Sequence, residues 1–326
     1  MIKRALLILF PLFLMTVFLF SFTEKEKPVE VPKKAVLRTL VIDPGHGGFD
    51  PGARGLISNE ADVSLAVGLR FGRALKEEFP DLNVVYTRST DIGAGGKKTK
   101  KDDLYYRANF ANESAGDLFI SIHCNSSGRK AGGWYERVVT KKTPIKKTVG
   151  KGKKRRTINS YKYTYGTVYR ENLAHGTETY IWALSKNDAK VNSVNKIEYY
   201  GEIDSTTNDL ATQLPDPSDP SEKARMLIYA QQFFRKSLNL ADLVEKEFEA
   251  SGRVSRGVKQ RNDAGIWVLQ ATGMPSILVE IGFITNKQEE EYLNSDKGQK
   301  EIVEDLMNAF RIYKQKVESK TITTAP

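Results

Sequence analysis

Four side chains of this sequence combine the residue types of a catalytic metal site. His46 lies in a glycine-rich turn, DPGHGG, directly after the apolar run Leu40–Ile42, and His123 ends a second apolar run. Glu60 stands where a helical pattern begins, and Glu280 lies in the apolar stretch SILVEIGF. Two imidazoles, one carboxylate and an open coordination position are typical of a catalytic zinc ion. A second carboxylate can then take a proton from a bound water and pass it to a leaving group.

Three of these residues also have a purely structural interpretation. His46 can be incidental to a strand-to-loop turn, and Glu60 can be a helix-start carboxylate that the helix dipole favours. The structural alternative is weakest for Glu280, because a carboxylate between Val279 and Ile281 is costly to bury unless it is paired or functional. Residue types alone leave these alternatives open.

The elements that must position the four residues alternate between strands and helices. The spacing of apolar residues predicts strands at 40–42, 83–88, 118–123, 176–184, 266–270 and 276–283. It predicts helices at 61–79, after a cap at Asp102–Asp103, and at 221–250, 286–293 and 296–317. This order favours an α/β fold with a single mixed, mostly parallel sheet of about six strands, flanked by helices on both faces. The site is expected at the carboxyl ends of the strands.

Five motifs in this order resemble the zinc-dependent N-acetylmuramoyl-L-alanine amidases of the amidase-3 type. They are DPGHGG, Asn59-Glu60, Ser121–His123, GTETY at 176–180 and VEIGFITN at 279–286. The resemblance implies that one Zn²⁺ per chain is held by His46, Glu60 and His123, with Glu280 as catalytic acid and base. It also implies peptidoglycan as substrate, cut between N-acetylmuramic acid and the L-alanine of the stem peptide by zinc-activated water.

Three further polar residues lie close to these motifs in the sequence. His175 precedes GTETY and is interpreted as part of a loop. Glu178 either supports the site or faces solvent. Cys124, the single cysteine, follows His123 and in an alternating strand points to the opposite face, so we interpret it as a packing residue.

The N-terminal segment of the sequence indicates export. Lys3 and Arg4 precede the apolar run Ala5–Phe22, which is the layout of a signal peptide or an uncleaved signal-anchor. We expect a linker at 23–37, a catalytic domain at 38–318 and a tail at 319–326. The protein is then periplasmic or extracellular, with membrane anchoring through the N-terminal segment as an option, and acts in cell separation or wall turnover.

Two segments depart from the compact family pattern. The first, at about 126–175, is an insertion that fits a β-hairpin with a flexible tip. It contains Lys141–Arg156, which holds nine Lys/Arg and no acid and accounts for most of the net charge of +10. This run is either a solvated loop or a contact to an anionic surface, such as wall polymer, lipid headgroups or lipopolysaccharide; because of export, nucleic acid is not expected.

The second segment, at about 185–220, is either a surface loop or a regulatory segment. In the regulatory interpretation it covers the zinc site until an activator protein displaces it, with Glu198, Glu202 or Asp204 as the blocking carboxylate. Two other functions stay open as alternatives to the amidase. One is a zinc peptidase that acts on stem peptides, and the other is a non-catalytic wall-binding regulator.

Overall fold

A computed structural model describes residues 37–183, 220–262 and 265–319 of the chain. Its strands are β1 (Thr39–Pro44), β2 (Asn83–Tyr86), β3 (Leu118–Asn125), β4 (Gly133–Val149), β5 (Arg156–Glu171), β6 (Thr177–Ile181), β7 (Ser255–Gln260) and β8 (Ser276–Phe283). Its helices are α1 (Glu60–Glu78), α2 (Lys100–Glu113), α3 (Pro220–Ala250), α4 (Trp267–Ala271), α5 (Lys287–Asn294) and α6 (Asp296–Ser319).

Six of the strands form one sheet in the order β2-β1-β3-β8-β6-β7. Strands β1, β2, β3 and β8 run parallel, β6 pairs antiparallel with β8, and β7 pairs parallel with β6. The predicted fold class, a mixed and mostly parallel sheet of about six strands with helices, is therefore confirmed. Because β1, β3 and β8 are parallel neighbours, their carboxyl ends meet at one edge of the sheet.

The sheet is covered on both faces, as the near-continuous apolar strands require. Along β1, Leu40 and Ile42 belong to one buried apolar cluster and Val41 belongs to the other, because successive side chains of a strand point to opposite faces. Apolar residues of α1, α3 and α6 complete the larger cluster, and those of α2 and α4 contribute to the smaller one.

Two local predictions were wrong, and one strand was not predicted. Residues 266–270 were expected to be a strand, but residues 267–271 form the short helix α4. Strand β7, with the sequence SRGVKQ, was not predicted, since it carries one large apolar residue, Val258, at the edge of the sheet. Helix α2 is capped by Thr99, whose side chain accepts a hydrogen bond from the backbone of Asp102, and not by Asp102–Asp103.

The basic insertion forms a long antiparallel hairpin, β4–β5, which agrees with the hairpin expected there. In the described part of the chain, these two strands pair only with each other. The hairpin is fixed at its base, where the backbone N–H of Gly132 donates to the carbonyl of Thr285 at 3.0 Å and that of Asn172 donates to Gly132 at 3.1 Å. Among the described helices, we find none that has both the length and the apolar character needed to cross a membrane.

Candidate active site

The turn after β1 places His46 at the edge of the sheet. His46 has a left-handed backbone with φ of 60°, which costs a non-glycine residue about 1–3 kcal/mol. Hydrogen bonds between Gly47 and Asp50 close the turn in both directions, at 2.8 and 3.2 Å. The Asp50 carboxylate also contacts His46 Nδ1 at 2.9 Å, so the other ring nitrogen, Nε2, faces the interior of the site. A carboxylate on the far nitrogen is the usual way in which a metal-binding histidine is oriented.

Two buried arginines donate hydrogen bonds to backbone carbonyls of this turn. Arg107, which is 2% exposed, donates to the carbonyls of Pro44 at 2.9 Å and His46 at 2.6 Å. Arg88 donates to the carbonyl of Gly45 at 2.8 Å. Arg107 also pairs with the buried carboxylate of Asp43 at 2.6 Å. Burial alone would raise the pKa of Asp43, but Arg107 and nearby hydroxyl groups hold this pKa below its usual value. The sequence analysis missed both arginines.

Glu60 is the first residue of α1 and lies at the centre of the site. Asn59 caps this helix by accepting a hydrogen bond from the backbone of Asp62, so the Glu60 side chain is free to point away from the helix end. Its Oε2 accepts a hydrogen bond from the backbone of Ala53 at 2.8 Å. Its Oε1 lies 3.1 Å from His46 Nε2 and 2.7 Å from His123 Nδ1. One carboxylate oxygen is thus shared by the two imidazoles.

His123 reaches this point because Gly45 has no side chain. A Cβ at Gly45 would lie 2.2 to 2.6 Å from three atoms of the His123 ring. Candidate ligand atoms of His46, Glu60 and His123 all lie within 4.8 Å of one another. The cluster is largely buried, and Glu60 is 5% exposed.

The charges of this cluster are strongly coupled. Burial alone would raise the pKa of Glu60, but the hydrogen bonds and charges of His123 and His46 hold it well below its usual value. Burial likewise opposes protonation of His46, whereas Glu60 and Asp50 raise its pKa above the usual value. The carboxylate is therefore ionised at neutral pH and can act as a ligand to a cation.

The donor set fits a zinc ion. Nitrogen and oxygen ligands at about 2.0–2.1 Å from a tetrahedral zinc stand roughly 3.3 Å apart. Glu60 Oε1 lies 3.1 and 2.7 Å from the two imidazole nitrogens, and the candidate ligand atoms of all three residues lie within 4.8 Å of one another, so one ion would be within reach of all three. The backbone contacts of Glu60 and the contact between His46 and Asp50 would keep two of the three ligands oriented.

Glu280 lies beside His123 on the neighbouring strand, β8. The two residues are register partners across parallel strands, so their side chains project from the same face of the sheet. Glu280 Oε2 is buried and has no hydrogen-bond partner in the described part of the chain. Burial, together with the nearby Glu60 and Glu178 carboxylates, raises the pKa of Glu280 to about 8. An unpaired buried carboxyl of this kind is typical of a site that transfers protons.

Glu178 lies next to Glu280 on strand β6, which flanks β8 on the side away from β3. It is the antiparallel register partner of Glu280 and is 3% exposed, so the interpretation that it faces solvent is wrong. Its carboxylate binds Arg256, Lys259 at 2.7 Å and the Tyr180 hydroxyl at 2.8 Å. Burial alone would raise its pKa, but these donors lower it, so Glu178 is a fixed negative charge close to Glu280.

The four predicted residues line one cavity of about 440 Å³. Cations and apolar side chains complete its wall, among them Lys100, Arg261, Tyr180, Ile266 and Trp267. The structure therefore brings His46, Glu60, His123 and Glu280 together around one cavity. Tyr180 belongs to the GTETY motif, whereas the other four wall residues come from segments that carry no recognisable motif; the sequence predicted none of the five as part of the wall.

Of the remaining residues that the sequence singled out, Cys124 and His175 lie within the described part of the chain. Cys124 is buried in the larger apolar cluster, which agrees with a packing role, and burial raises the pKa of its thiol. His175 is exposed in a loop, where its Nδ1 contacts the carbonyl of Leu173 at 2.8 Å. The three candidate regulatory carboxylates, Glu198, Glu202 and Asp204, lie outside the described residues.

Comparisons with known proteins point to one family. A family model described as N-acetylmuramoyl-L-alanine amidase matches residues 40–311. An uncharacterized cell wall amidase of Bacillus anthracis is 24% identical over 268 residues, which cover 82% of this chain and 34% of that protein. The N-acetylmuramoyl-L-alanine amidase AmiC of Escherichia coli is 27% identical over 276 residues, which cover 84% of this chain and 52% of that protein. The chain thus spans about a third and a half of the length of these two curated relatives.

A solved structure shows the same fold. The CwlD amidase of Clostridioides difficile, solved in complex with the GerS lipoprotein, matches with a TM-score of 0.51 and 19% sequence identity. The match covers 85% of this chain and 98% of that one.

Proposed function

The chain belongs to the N-acetylmuramoyl-L-alanine amidase family of the amidase-3 type, and we propose that it hydrolyses peptidoglycan. The bond cut is the amide between N-acetylmuramic acid and the L-alanine of the stem peptide. The observation that carries this proposal is the convergence of His46, Glu60 and His123 on one point, beside Glu280, whose buried Oε2 has no hydrogen-bond partner among the described residues.

We propose His46, Glu60 and His123 as the ligands of one Zn²⁺ per chain. When bound, such an ion supplies a Lewis acid and a water of lowered pKa. Asp50 keeps Nε2 of His46 directed at the ion, and the backbone of Ala53 holds the other oxygen of Glu60. These two contacts lie within the protein, so His46 and Glu60 are oriented before a substrate binds.

Glu280 is the proton carrier in this proposal. It takes the proton of the attacking water on its carboxylate and then donates that proton to the departing alanine nitrogen. Two features suit it to both steps. Its Oε2 makes no competing hydrogen bond to a described residue, and its pKa of about 8 lies close to neutrality. A bound cation lowers this pKa further toward the working range of a base.

The cavity wall suits a substrate with an apolar part and a carboxylate-bearing part. Trp267 and Ile266 offer an apolar surface, and Arg261 and Lys100 offer positive charge. A stem peptide attached to a sugar has both properties. This match extends the proposal from the reaction to the substrate class.

The wider setting of the enzyme follows from the sequence predictions. We propose export by the 1–22 segment as a cleaved signal peptide or a signal-anchor, a catalytic domain at 38–318, and a location outside the cytoplasm. We also propose that the segment at about 185–220 regulates access to the site. The related CwlD amidase, which was solved with a lipoprotein bound, shows that a relative forms a complex with a second protein. An activator protein is therefore part of this proposal.

The test is a digest of purified peptidoglycan by the chain from residue 24 onward, read by mass spectrometry. We expect release of intact stem peptides that begin with L-alanine, loss of activity with a chelator and its return with Zn²⁺. Glu280→Gln should bind zinc but release no product, whereas the exposed control Glu291→Gln should be fully active.

Two other results would change the conclusion. Products cut within the stem peptide would support a zinc peptidase instead of an amidase. No product from a chain that binds zinc would indicate either a wall-binding regulator or a blocked site. Repeating the digest without residues 185–220 separates these two cases, because only a blocked site gains activity.

A further inference from the structure

The outer half of the β4–β5 hairpin carries an unusual concentration of positive charge. We call residues 141–162 the basic tip; they contain ten Lys/Arg and no acid. Strand β4 has 17 residues, which at about 3.3 Å each gives the hairpin a length of roughly 55 Å. The charge is thus carried well beyond the base of the hairpin, where Gly132 and Asn172 are fixed.

Aromatic side chains line one face of the hairpin. Tyr161, Tyr163 and Tyr165 alternate along β5 and share this face, with consecutive ring centroids 6.5 Å apart. Each is 45–47% exposed, although tyrosine rings are usually placed where part of their surface is covered. Lys142 lies over the Tyr161 ring and Arg137 over the Tyr165 ring, each 3.9 Å from the centroid. Rings and cations therefore alternate on one surface.

The opposite face combines the same two properties. Ile145 and Ile158 are 38% and 37% exposed and lie on the face that also carries Lys147 and Arg156. A two-stranded hairpin is marginally stable in water, because neither face is covered. Beyond Gly133, every residue of β4 and β5 is exposed or partly exposed, so side chains on both faces are available to a partner.

We propose that the basic tip binds the surface of a membrane rich in anionic phospholipids. The lysines and arginines contact phosphate groups, and the tyrosine rings and isoleucines enter the boundary between headgroups and acyl chains. Polybasic segments gain binding energy from each cation near such a surface, and tyrosine is enriched at this depth. The proposal concerns a surface outside the candidate active site and does not depend on the amidase activity.

Two observations favour a membrane over an anionic polymer such as a wall polysaccharide or nucleic acid. Exposed Ile145 and Ile158 gain nothing from a water-soluble polymer, but they lose water contact in a lipid boundary. The rings of Tyr161 and Tyr165 each already have a cation over them, so they are poor platforms for flat stacking of sugars or bases. The apolar sequence run Ala5–Phe22 is a second feature directed at a membrane, and stable attachment usually takes two signals.

The test measures how the full chain partitions into lipid vesicles. The chain is used with the N-terminus that it has after export. Vesicles of phosphatidylcholine alone are compared with vesicles made of equal molar amounts of phosphatidylcholine and phosphatidylglycerol. We expect a partition coefficient at least about tenfold higher for the anionic vesicles, with the difference lost as salt is raised. The N-terminal segment, which includes Lys3 and Arg4, is identical in the parent chain and in the variants described next, so the comparison of variants isolates the contribution of the basic tip.

Two sets of variants locate the binding surface. The variant that carries Lys146→Gln, Lys147→Gln, Lys153→Gln and Lys154→Gln should lose most of the preference for anionic vesicles. A control with the same net charge carries Lys246→Gln, Lys287→Gln, Lys297→Gln and Lys300→Gln on exposed helix positions and should keep it. Tyr161→Ser with Tyr163→Ser should weaken binding several-fold and make the remainder more sensitive to salt.

Three results would overturn the proposal. The first is equal partition into both kinds of vesicle. The second is an equal loss in the tip variant and its control, which would show a general effect of net charge. The third is binding to a soluble polyanion such as heparin without binding to anionic vesicles, which would assign the basic tip to a polymer. Normal digestion of peptidoglycan by the tip variant would show that its site is intact.

Discussion

The replacement Arg107→Met tests whether the buried arginine organises the turn that carries His46. Methionine keeps much of the apolar stem but offers no donor. The change removes the contacts of Arg107 with the carboxylates of Asp43 and Asp103, and with the carbonyls of Pro44 and His46. Because breaking a buried ion pair leaves an uncompensated charge, we expect a loss of about 3–5 kcal/mol in the free energy of unfolding. For a domain of this size, that corresponds to a melting temperature lower by roughly 10 °C.

The assay is thermal and denaturant unfolding of the metal-free protein, with zinc affinity from competition with a chelator as a second readout. Arg170→Met is the matched control, because Arg170 pairs with Glu136 on the exposed surface of the hairpin at 2.8 Å. A surface pair contributes at most about 1 kcal/mol, so this variant should melt close to the parent protein. Zinc affinity should fall about tenfold or more in Arg107→Met only, since the turn loses the support that holds its left-handed residue.

The pH dependence of the free energy of unfolding tests whether the loss comes from the Arg107–Asp43 pair. Arg107 holds the pKa of Asp43 below its usual value, so this carboxylate contributes stability above pH 4 and loses it as the pH falls. The difference between the parent protein and Arg107→Met should therefore be largest near neutrality and shrink below about pH 4. If Arg107→Met costs under about 1 kcal/mol, as expected for the control, then the reasoning from the buried cluster is refuted.

Three further changes test other parts of the structure. Gly45→Ala should displace the His123 ring, which a Cβ would approach to 2.2 Å, and zinc affinity measured by calorimetry should fall by more than about tenfold; unchanged affinity would contradict the packing argument. Asp50→Ala should lower zinc affinity about 10–100-fold with little change in the melting temperature, because it frees His46 without opening the core. Asp305→Asn should stabilise the fold near neutral pH: burial raises the pKa of Asp305 to about 6, so its contribution to stability is present below about pH 4 and is lost as pH rises through 6. Between pH 4 and pH 7, this residue should lower the free energy of unfolding of the parent protein by about 1–3 kcal/mol, and the variant should lack this decrease.

The sequence predicted best those elements whose residues are buried on both sides. Strands β1, β3 and β8 are continuous apolar runs in the centre of the sheet, so composition alone distinguishes them. Strand β7 lies at the sheet edge, where the neighbours and not the side chains favour an extended backbone, and its polar sequence gave no signal. Helix α4 has an apolar sequence, WVLQA, which is too short for periodicity to distinguish a helix from a strand.

The candidate site divides in the same way. The residues that converge on the proposed metal stand in compact motifs, so a single sequence was enough to select them. Arg88 and Arg107 support the turn at residues 43–46 through contacts that span 43 to 64 positions along the chain, and such contacts have no local pattern. The two interpretations of Glu178 stayed open for a related reason, since alternation predicts a face but not what covers that face. Lys259, Arg256 and Tyr180 bind its carboxylate, and only the folded chain shows this.

The pairing at the base of the hairpin makes this part of the molecule a separable module. Gly133 and Glu171 are register partners, so the chain leaves and re-enters the domain at neighbouring points. A lineage could acquire or discard the stretch between them in a single event, because a short turn would close the gap without shifting β3 or β6. For the same reason the hairpin is a natural graft: it can be transplanted onto a related amidase, or another module can be inserted in its place, while the catalytic scaffold is inherited unchanged.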